Sequence, residues 1–205
     1  ILIGGNYLGK GPEPNASATV IFEGAEITAD ALDSGDGGRV IVWSDDYTNF
    51  AGSITATGSN TGLGGFVETS SKDNLQVSGY VNASGGKGPG SWLLDPSNVT
   101  ISSNATSGGS DMATVFEPTS STANINISTM LTALSGGNNV RITTNRSAAS
   151  EQGNITLQED ITASPGVAGL MLNLYAANNI TLEGSIVSSG NALNVGLYAE
   201  GDITI

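Results

Sequence analysis

Five aspartates crowd one short stretch of the chain: Asp30, Asp33 and Asp36, followed by Asp45 and Asp46. Carboxylates at alternate spacings around glycines are the donors of Ca²⁺ loops. Neither the EF-hand pattern nor the Gly-Gly-x-Gly-x-Asp nonapeptide is present, so solvated corners, and no metal site, are the expectation. The pairs Asp45/Asp46 and Glu159/Asp160 offer the residue types of glycosidases and polysaccharide lyases. Neighbours on a strand project to opposite faces, however, so a pair adjacent in sequence is not a catalytic dyad. Trp43, Tyr47, Tyr80 and Trp92 would make a glycan-stacking platform if they faced outward together, although aromatics among β runs more often pack. Asn-x-Ser/Thr sequons at Asn15, Asn82, Asn98, Asn104, Asn126, Asn145, Asn154 and Asn179 carry the chemistry of glycosylation. Asn equally suits tight corners and amide ladders between stacked strands.

What is missing narrows the chemistry further. The chain has no Cys and no His, which removes disulfides, thiolate nucleophiles, imidazole bases and the commonest zinc ligands. Six basic residues against nineteen acidic ones give a net charge of −13. Lys10, Arg39, Lys72, Lys87, Arg141 and Arg146 are too scattered for a basic patch, so neither nucleic acid nor an acidic polymer substrate is expected. The reading is therefore of a protein that is not an enzyme, with no catalytic residue, cofactor or metal assigned. No apolar run approaches the roughly 18 residues of a membrane span.

The elements that would position these residues are announced by repetition. Gly37-Gly38-Arg39-Val40 through Gly58 matches Gly64-Gly65-Phe66-Val67 through Gly85 at an offset of 27 residues, and Ile27 lies the same distance before Ile54. A fixed period of this length marks stacked coils. Runs such as Val40-Ile41-Val42-Trp43 and Trp92-Leu93-Leu94 read as strands, with Gly-rich corners between them. Ile27, Ile54 and Val81 should form one interior ladder, and Phe50 and Val77 part of another. Thr28 and Thr55 could begin an outward threonine row of the kind an ice- or glycan-binding face needs, but Asn82 breaks it.

Regular coils are expected over 1–101, an irregular insertion over 102–137, and resumed coils over 138–205, all in one continuous segment. Within the insertion, Ser128 to Gly136 combines an N-cap residue, apolar spacing and a terminal Gly, which predicts a short helix. Beyond it, Asn154-Ile155-Thr156-Leu157, Asn179-Ile180-Thr181-Leu182 and Asp202-Ile203-Thr204-Ile205 recur at intervals of 25 and 23 residues. Coils of this length give roughly eight turns, on the order of 40 Å of stack at about 4.8 Å per layer. The segment Leu174-Tyr175-Ala176 also recurs as Leu197-Tyr198-Ala199, and the second copy runs out at Ile205. Both ends falling inside repeats, the chain is expected to be a fragment of a longer one.

Three stretches carry a family likeness: Asp36-Gly37-Gly38-Arg39-Val40-Ile41-Val42-Trp43-Ser44-Asp45, then Gly65-Phe66-Val67-Glu68-Thr69-Ser70, then Trp92 through Ile101 with Asp95-Pro96-Ser97-Asn98 at its centre. In this order they resemble the repeat region of large bacterial exoproteins of the filamentous-haemagglutinin type, adhesins secreted by the two-partner route. The stretch from Ile127 to Thr143 and the later Asn-Ile-Thr-Leu units are similar to the same family. The resemblance implies an all-β, right-handed parallel β-helix, export through an outer-membrane pore protein, and display on the bacterial surface. The Asn-Pro-Asn motifs of that family's secretion domain do not occur here, so the chain is expected to be shaft rather than the pore-recognition domain. Glycans or proteins on host or neighbouring cells are then the expected partners of the whole protein, with end-to-end self-association as a further expectation. The rival readings are a β-helical lyase or hydrolase and a glycan- or ice-binding module.

Overall fold

A computed structural model describes residues 1–104, 109–112, 115–118, 122–144 and 152–205. The chain winds as a β-solenoid with three faces, and neighbouring coils pair in parallel. Face A stacks Leu2–Ile3, Arg39–Val42, Phe66–Thr69, Ser91–Leu94, Asn139–Thr143, Leu170–Ala176 and Leu193–Ala199. Face B stacks Ala18–Ile21, Tyr47–Phe50, Asn74–Val77, Thr122–Asn126, Asn98–Ser102, Ile155–Leu157, Ile180–Leu182 and Ile203–Thr204. Face C holds Glu26–Thr28, Ser53–Thr55 and Tyr80–Asn82, then the helix Ile127–Ser135, then Ile161–Ala163 and Ile186–Ser188. No helix among the described residues is long and apolar enough to cross a membrane.

The interior is built from side-chain ladders, because a parallel register puts equivalent residues at the same height on successive coils. Ile27 pairs with Ile54 and Ile54 with Val81, as the 27-residue period predicts, and Phe50 pairs with Val77. On face A the inward row runs Val40, Val67, Trp92, Val140, Leu172, Val195. Each buried aliphatic side chain contributes roughly 1.5–3 kcal/mol relative to exposure, so the core is summed along the axis rather than gathered at a centre.

The corners demand glycine where coils approach one another. A Cβ on Gly37 would stand 1.9 Å from the Ala56 carbonyl oxygen and 2.6 Å from the Gly65 nitrogen, both backbone atoms that cannot yield.

The middle of the chain departs from simple winding. After Ser91–Leu94 the chain climbs to Asn98–Ser102, which pairs with Ile155–Leu157 on one side. Later it returns to lay Thr122–Asn126 into the layer beneath, between Asn98–Ser102 and Asn74–Val77. Face A meanwhile passes directly from Ser91–Leu94 to Asn139–Thr143. One coil thus spends two strands on face B, and the Asn-Ile-Thr-Leu units beyond it follow a new register. The 102–137 stretch contributes this strand and a helix instead of further turns, so the stack has about six turns rather than eight. An antiparallel hairpin, Gly109–Met112 with Val115–Pro118, lies within the same excursion.

The helix runs Ile127–Ser135 and replaces a C-face strand, burying Met130, Ala133 and Leu134. Its cap is Asn126, two residues ahead of the expected Ser128, and the Asn126 side chain accepts the Ser128 N–H at 2.8 Å. Beyond the helix, Asn138 is fully buried and donates to the Ala133 carbonyl while accepting the Ala83 N–H, which ties the helix to the coil below.

Candidate functional site

The acidic residues serve neighbouring coils. Asp30 accepts the Thr57 N–H at 2.6 Å and the Thr55 hydroxyl at 2.9 Å. Asp36 accepts the Leu63 N–H at 2.8 Å, and Asp45 accepts from the Asn15 amide at 3.0 Å and the Trp43 indole at 3.3 Å. Partial burial works to raise the Asp30 pKa, but the hydrogen bonds from Thr57 and Thr55 outweigh it and hold the carboxyl below its usual range. Among the described residues no group of three potential ligands could hold a metal ion.

Glu159 and Asp160 turn to opposite neighbours. Glu159 accepts the Ser103 N–H and hydroxyl at 2.9 and 2.7 Å, from the coil before. Asp160 accepts the Ser185 N–H and hydroxyl, both at 2.7 Å, from the coil after. These bonds, the backbone donor foremost, hold both carboxyls below their ordinary pKa.

Asparagines form a second axial ladder. Asn98 accepts the Asn154 N–H at 2.7 Å, Asn154 accepts the Asn179 N–H at 3.1 Å and the Asn178 amide at 2.9 Å, and Asn179 accepts the Asp202 N–H at 2.8 Å. Three of the sequon asparagines are therefore structural. Asn15 and Asn126 commit their amide nitrogens to carbonyl or carboxylate oxygens as well, while Asn145 lies outside the described residues. Beside this ladder Thr100, Thr156, Thr181 and Thr204 make one outward row on face B. The C-face positions Thr28, Thr55 and Asn82 do lie in register, with the row broken at Asn82.

Of Trp43, Tyr47, Tyr80 and Trp92, most pack, as aromatics among β runs more often do, and no glycan-stacking platform forms. Trp43, Tyr47 and Trp92 are buried, and only Tyr80, at 42 % exposure, reaches solvent. Trp92 points inward, meeting Phe50 edge-on at 6.5 Å and donating its indole N–H to Thr69 at 2.9 Å.

Trp43 is covered for a different reason. The outward row of face A runs Leu2, Ile41, Glu68, Leu93, Arg141, Asn173, Gly196, and Ile41, Glu68 and Leu93 are buried. A segment between Gly4 and Asn15 lies across them as a strap. Gly9, at φ 63°, sits so close to the Trp43 ring that a Cβ would come within 2.5 Å of it. Tyr7 meets Phe66 edge-on at 5.8 Å, and the Arg39 guanidinium lies 4.6 Å from the Tyr7 ring centre and 4.9 Å from that of Phe66. Leu8 adopts φ 54°, a left-handed conformation costly for a residue with a Cβ. Its N–H donates to the Glu68 carboxylate at 3.1 Å. Burial pushes the Glu68 pKa from 4.5 up to about 7, with the Leu8 hydrogen bond opposing and the nearby Asp95 charge adding to the rise.

Where the strap ends, the outer face of A opens into a groove of about 420 Å³. Tyr7 and Leu8 form one wall, Leu93 and Asp95 part of the floor, and Arg141, Tyr175 and Tyr198 the far side. Thr143, Tyr175 and Tyr198 occupy one register position on successive coils. The two tyrosine rings stack at 4.4 Å and within 6° of parallel, and the Arg141 guanidinium lies 4.2 Å from the Tyr175 ring centre. Asp95 is 7 % exposed and accepts the Thr143 hydroxyl at 2.7 Å. Sequence reasoning passed over Arg141, Tyr175 and Tyr198 as a site, although the repeat of Leu174-Tyr175-Ala176 at Leu197-Tyr198-Ala199 was the available signal: coils repeated in register superpose equal residues.

In comparisons with known proteins, no family model matches the chain and no curated protein matches it.

Proposed function

We propose that the chain is a non-enzymatic shaft segment of a large secreted bacterial adhesin of the filamentous-haemagglutinin type, exported through an outer-membrane pore protein and displayed on the cell surface. Its work is to hold a distal binding region away from the cell. The supporting observation is that backbone hydrogen bonds, aliphatic ladders and corner carboxylates all connect each coil to the next along one axis. Bending such a stack stretches every ladder at once, so stiffness follows from the arrangement. The acidic pair Glu159/Asp160, which could have served a hydrolase, is committed in opposite directions along the same axis.

The test pairs mechanics with turnover. Stretched from its ends in a force spectrometer, the purified chain should resist and then yield coil by coil, and it should release no new reducing ends or unsaturated sugars from neutral or acidic polysaccharides. Turnover lost on replacing a single carboxylate would overturn the reading. In the producing bacterium, deletion of the cognate pore protein should remove the chain from the cell surface, and unchanged surface display would contradict the export route.

A further inference from the structure

We infer that the groove between the strap and the Arg141–Tyr175–Tyr198 ladder is a binding site for an uncharged oligosaccharide. This goes beyond the shaft reading, since a shaft needs no ligand.

Three observations select the ligand class. The groove lies on the face of sheet A, where Ser91–Leu94, Asn139–Thr143 and Leu170–Ala176 are each paired on both sides. An extended peptide would find no free backbone edge to add to, so recognition must come from side chains. Those side chains are a guanidinium, three phenols, two threonine hydroxyls and two carboxylates beside small apolar residues such as Ala177 and Ala199. This mixture of hydrogen-bonding groups at the edges of an apolar surface suits a ligand with hydroxyls around an apolar ring. Charge sets the third limit: among the described residues Arg141 is the one cation lining the groove, against Asp95 and Glu200, which disfavours anionic sugars and nucleic acid.

The ladder side chains brace one another across coils. Arg141 covers Tyr175 from the coil before and Tyr198 stacks on it from the coil after, so these side chains surrender little freedom on binding. On the opposite wall, Leu8 is held in place through its N–H to the buried Glu68. A volume of about 420 Å³ falls within the range of small-ligand sites.

The experiment titrates the whole chain with cellopentaose, mannopentaose, laminaripentaose, maltopentaose and chitopentaose, with oligogalacturonate as the anionic control. Saturation-transfer NMR and calorimetry supply the readouts. At least one neutral pentasaccharide should bind, and Tyr198→Ala and Arg141→Gln should each weaken it at least tenfold. Ala177→Trp, which fills the groove and leaves the ladder intact, should abolish binding while melting like the parent; it keeps the test decisive if a ladder variant fails to fold. Absence of binding by every neutral sugar at millimolar concentration would overturn the proposal. So would binding that survives Ala177→Trp, or binding of oligogalacturonate alone. None of these outcomes touches the mechanical test of the shaft reading.

Discussion

The Leu8 N–H donates to the Glu68 carboxylate at 3.1 Å, joining a residue held at φ 54° to a carboxyl with no solvent exposure. Each is unfavourable alone. A left-handed leucine costs roughly 1–2 kcal/mol, and a buried carboxyl loses its hydration. Together they fasten the strap over Ile41, Trp43 and Leu93, which would otherwise expose a hydrophobic stripe on the outside of the solenoid.

Burial of Glu68 beneath the strap makes the strap sensitive to pH. The Glu68 pKa is raised from 4.5 to about 7, so the folded state binds its proton more tightly than the unfolded chain does. The associated stability is fully present below about pH 4.5 and is lost as pH rises through about 7, by up to about 3 kcal/mol. Urea unfolding between pH 4.5 and 7.5 should show this decline in the parent and a flatter profile in Glu68→Gln. The lowered pKa values of Asp30, Glu159 and Asp160 act in the opposite sense, below about pH 4.5, so the two windows separate. A parent profile identical to that of the Gln variant would show that Glu68 titrates normally.

Ile54 lies between Ile27 and Val81 and has no exposed surface. Ile54→Asp buries an unpaired carboxylate in an aliphatic ladder and should cost at least about 3 kcal/mol in denaturant unfolding. An unchanged midpoint would mean that the inward register is wrong.

At the corner, Gly37→Ala would drive a Cβ to 1.9 Å from the Ala56 carbonyl. Two coils must separate to admit it, and a loss of roughly 2–3 kcal/mol is expected. Gly24→Ala is the contrast: no atom lies within 4 Å of its Cβ, so only the cost of φ 83° remains and the loss should be smaller. Thermal melting of the two variants orders them.

Asn154→Ala removes the acceptor of both the Asn179 N–H and the Asn178 amide, and should cost about 1–3 kcal/mol. Asn154→Asp keeps an acceptor in place and should cost less. Hydrogen exchange at the Asn179 amide reports the ladder directly, with accelerated exchange expected in the Ala variant and near-parental protection in the Asp variant.

Much of this architecture was legible along the chain, because a solenoid converts sequence period into vertical stacking. Ile27, Ile54 and Val81 needed only equal spacing and an inward direction to be placed together. The helix near Ser128 was legible from capping and spacing for a local reason, with its cap two residues early at Asn126 and its end at Gly136 as expected. The outward face was harder. Val40-Ile41-Val42-Trp43 and Trp92-Leu93-Leu94 are apolar without alternation, the pattern of a strand covered on both sides, but nothing in those residues says that Gly4 to Asn15 is the cover.

By itself, then, the sequence determined the repeat, the inward ladders, the glycine corners and the absence of thiol and imidazole chemistry, since these depend on residue type and spacing alone. Only the tertiary structure decided the order of strands on face B, the strap fastened by Leu8 and Glu68, and the groove beside Arg141, Tyr175 and Tyr198. None of these is given by the repeat alone: Thr122–Asn126 slips beneath Asn98–Ser102 although it follows that strand in the chain, and Leu8 crosses sixty residues to reach Glu68. Such contacts are chosen by which surfaces remain uncovered once the coils have stacked, and that is a property of the assembled solenoid.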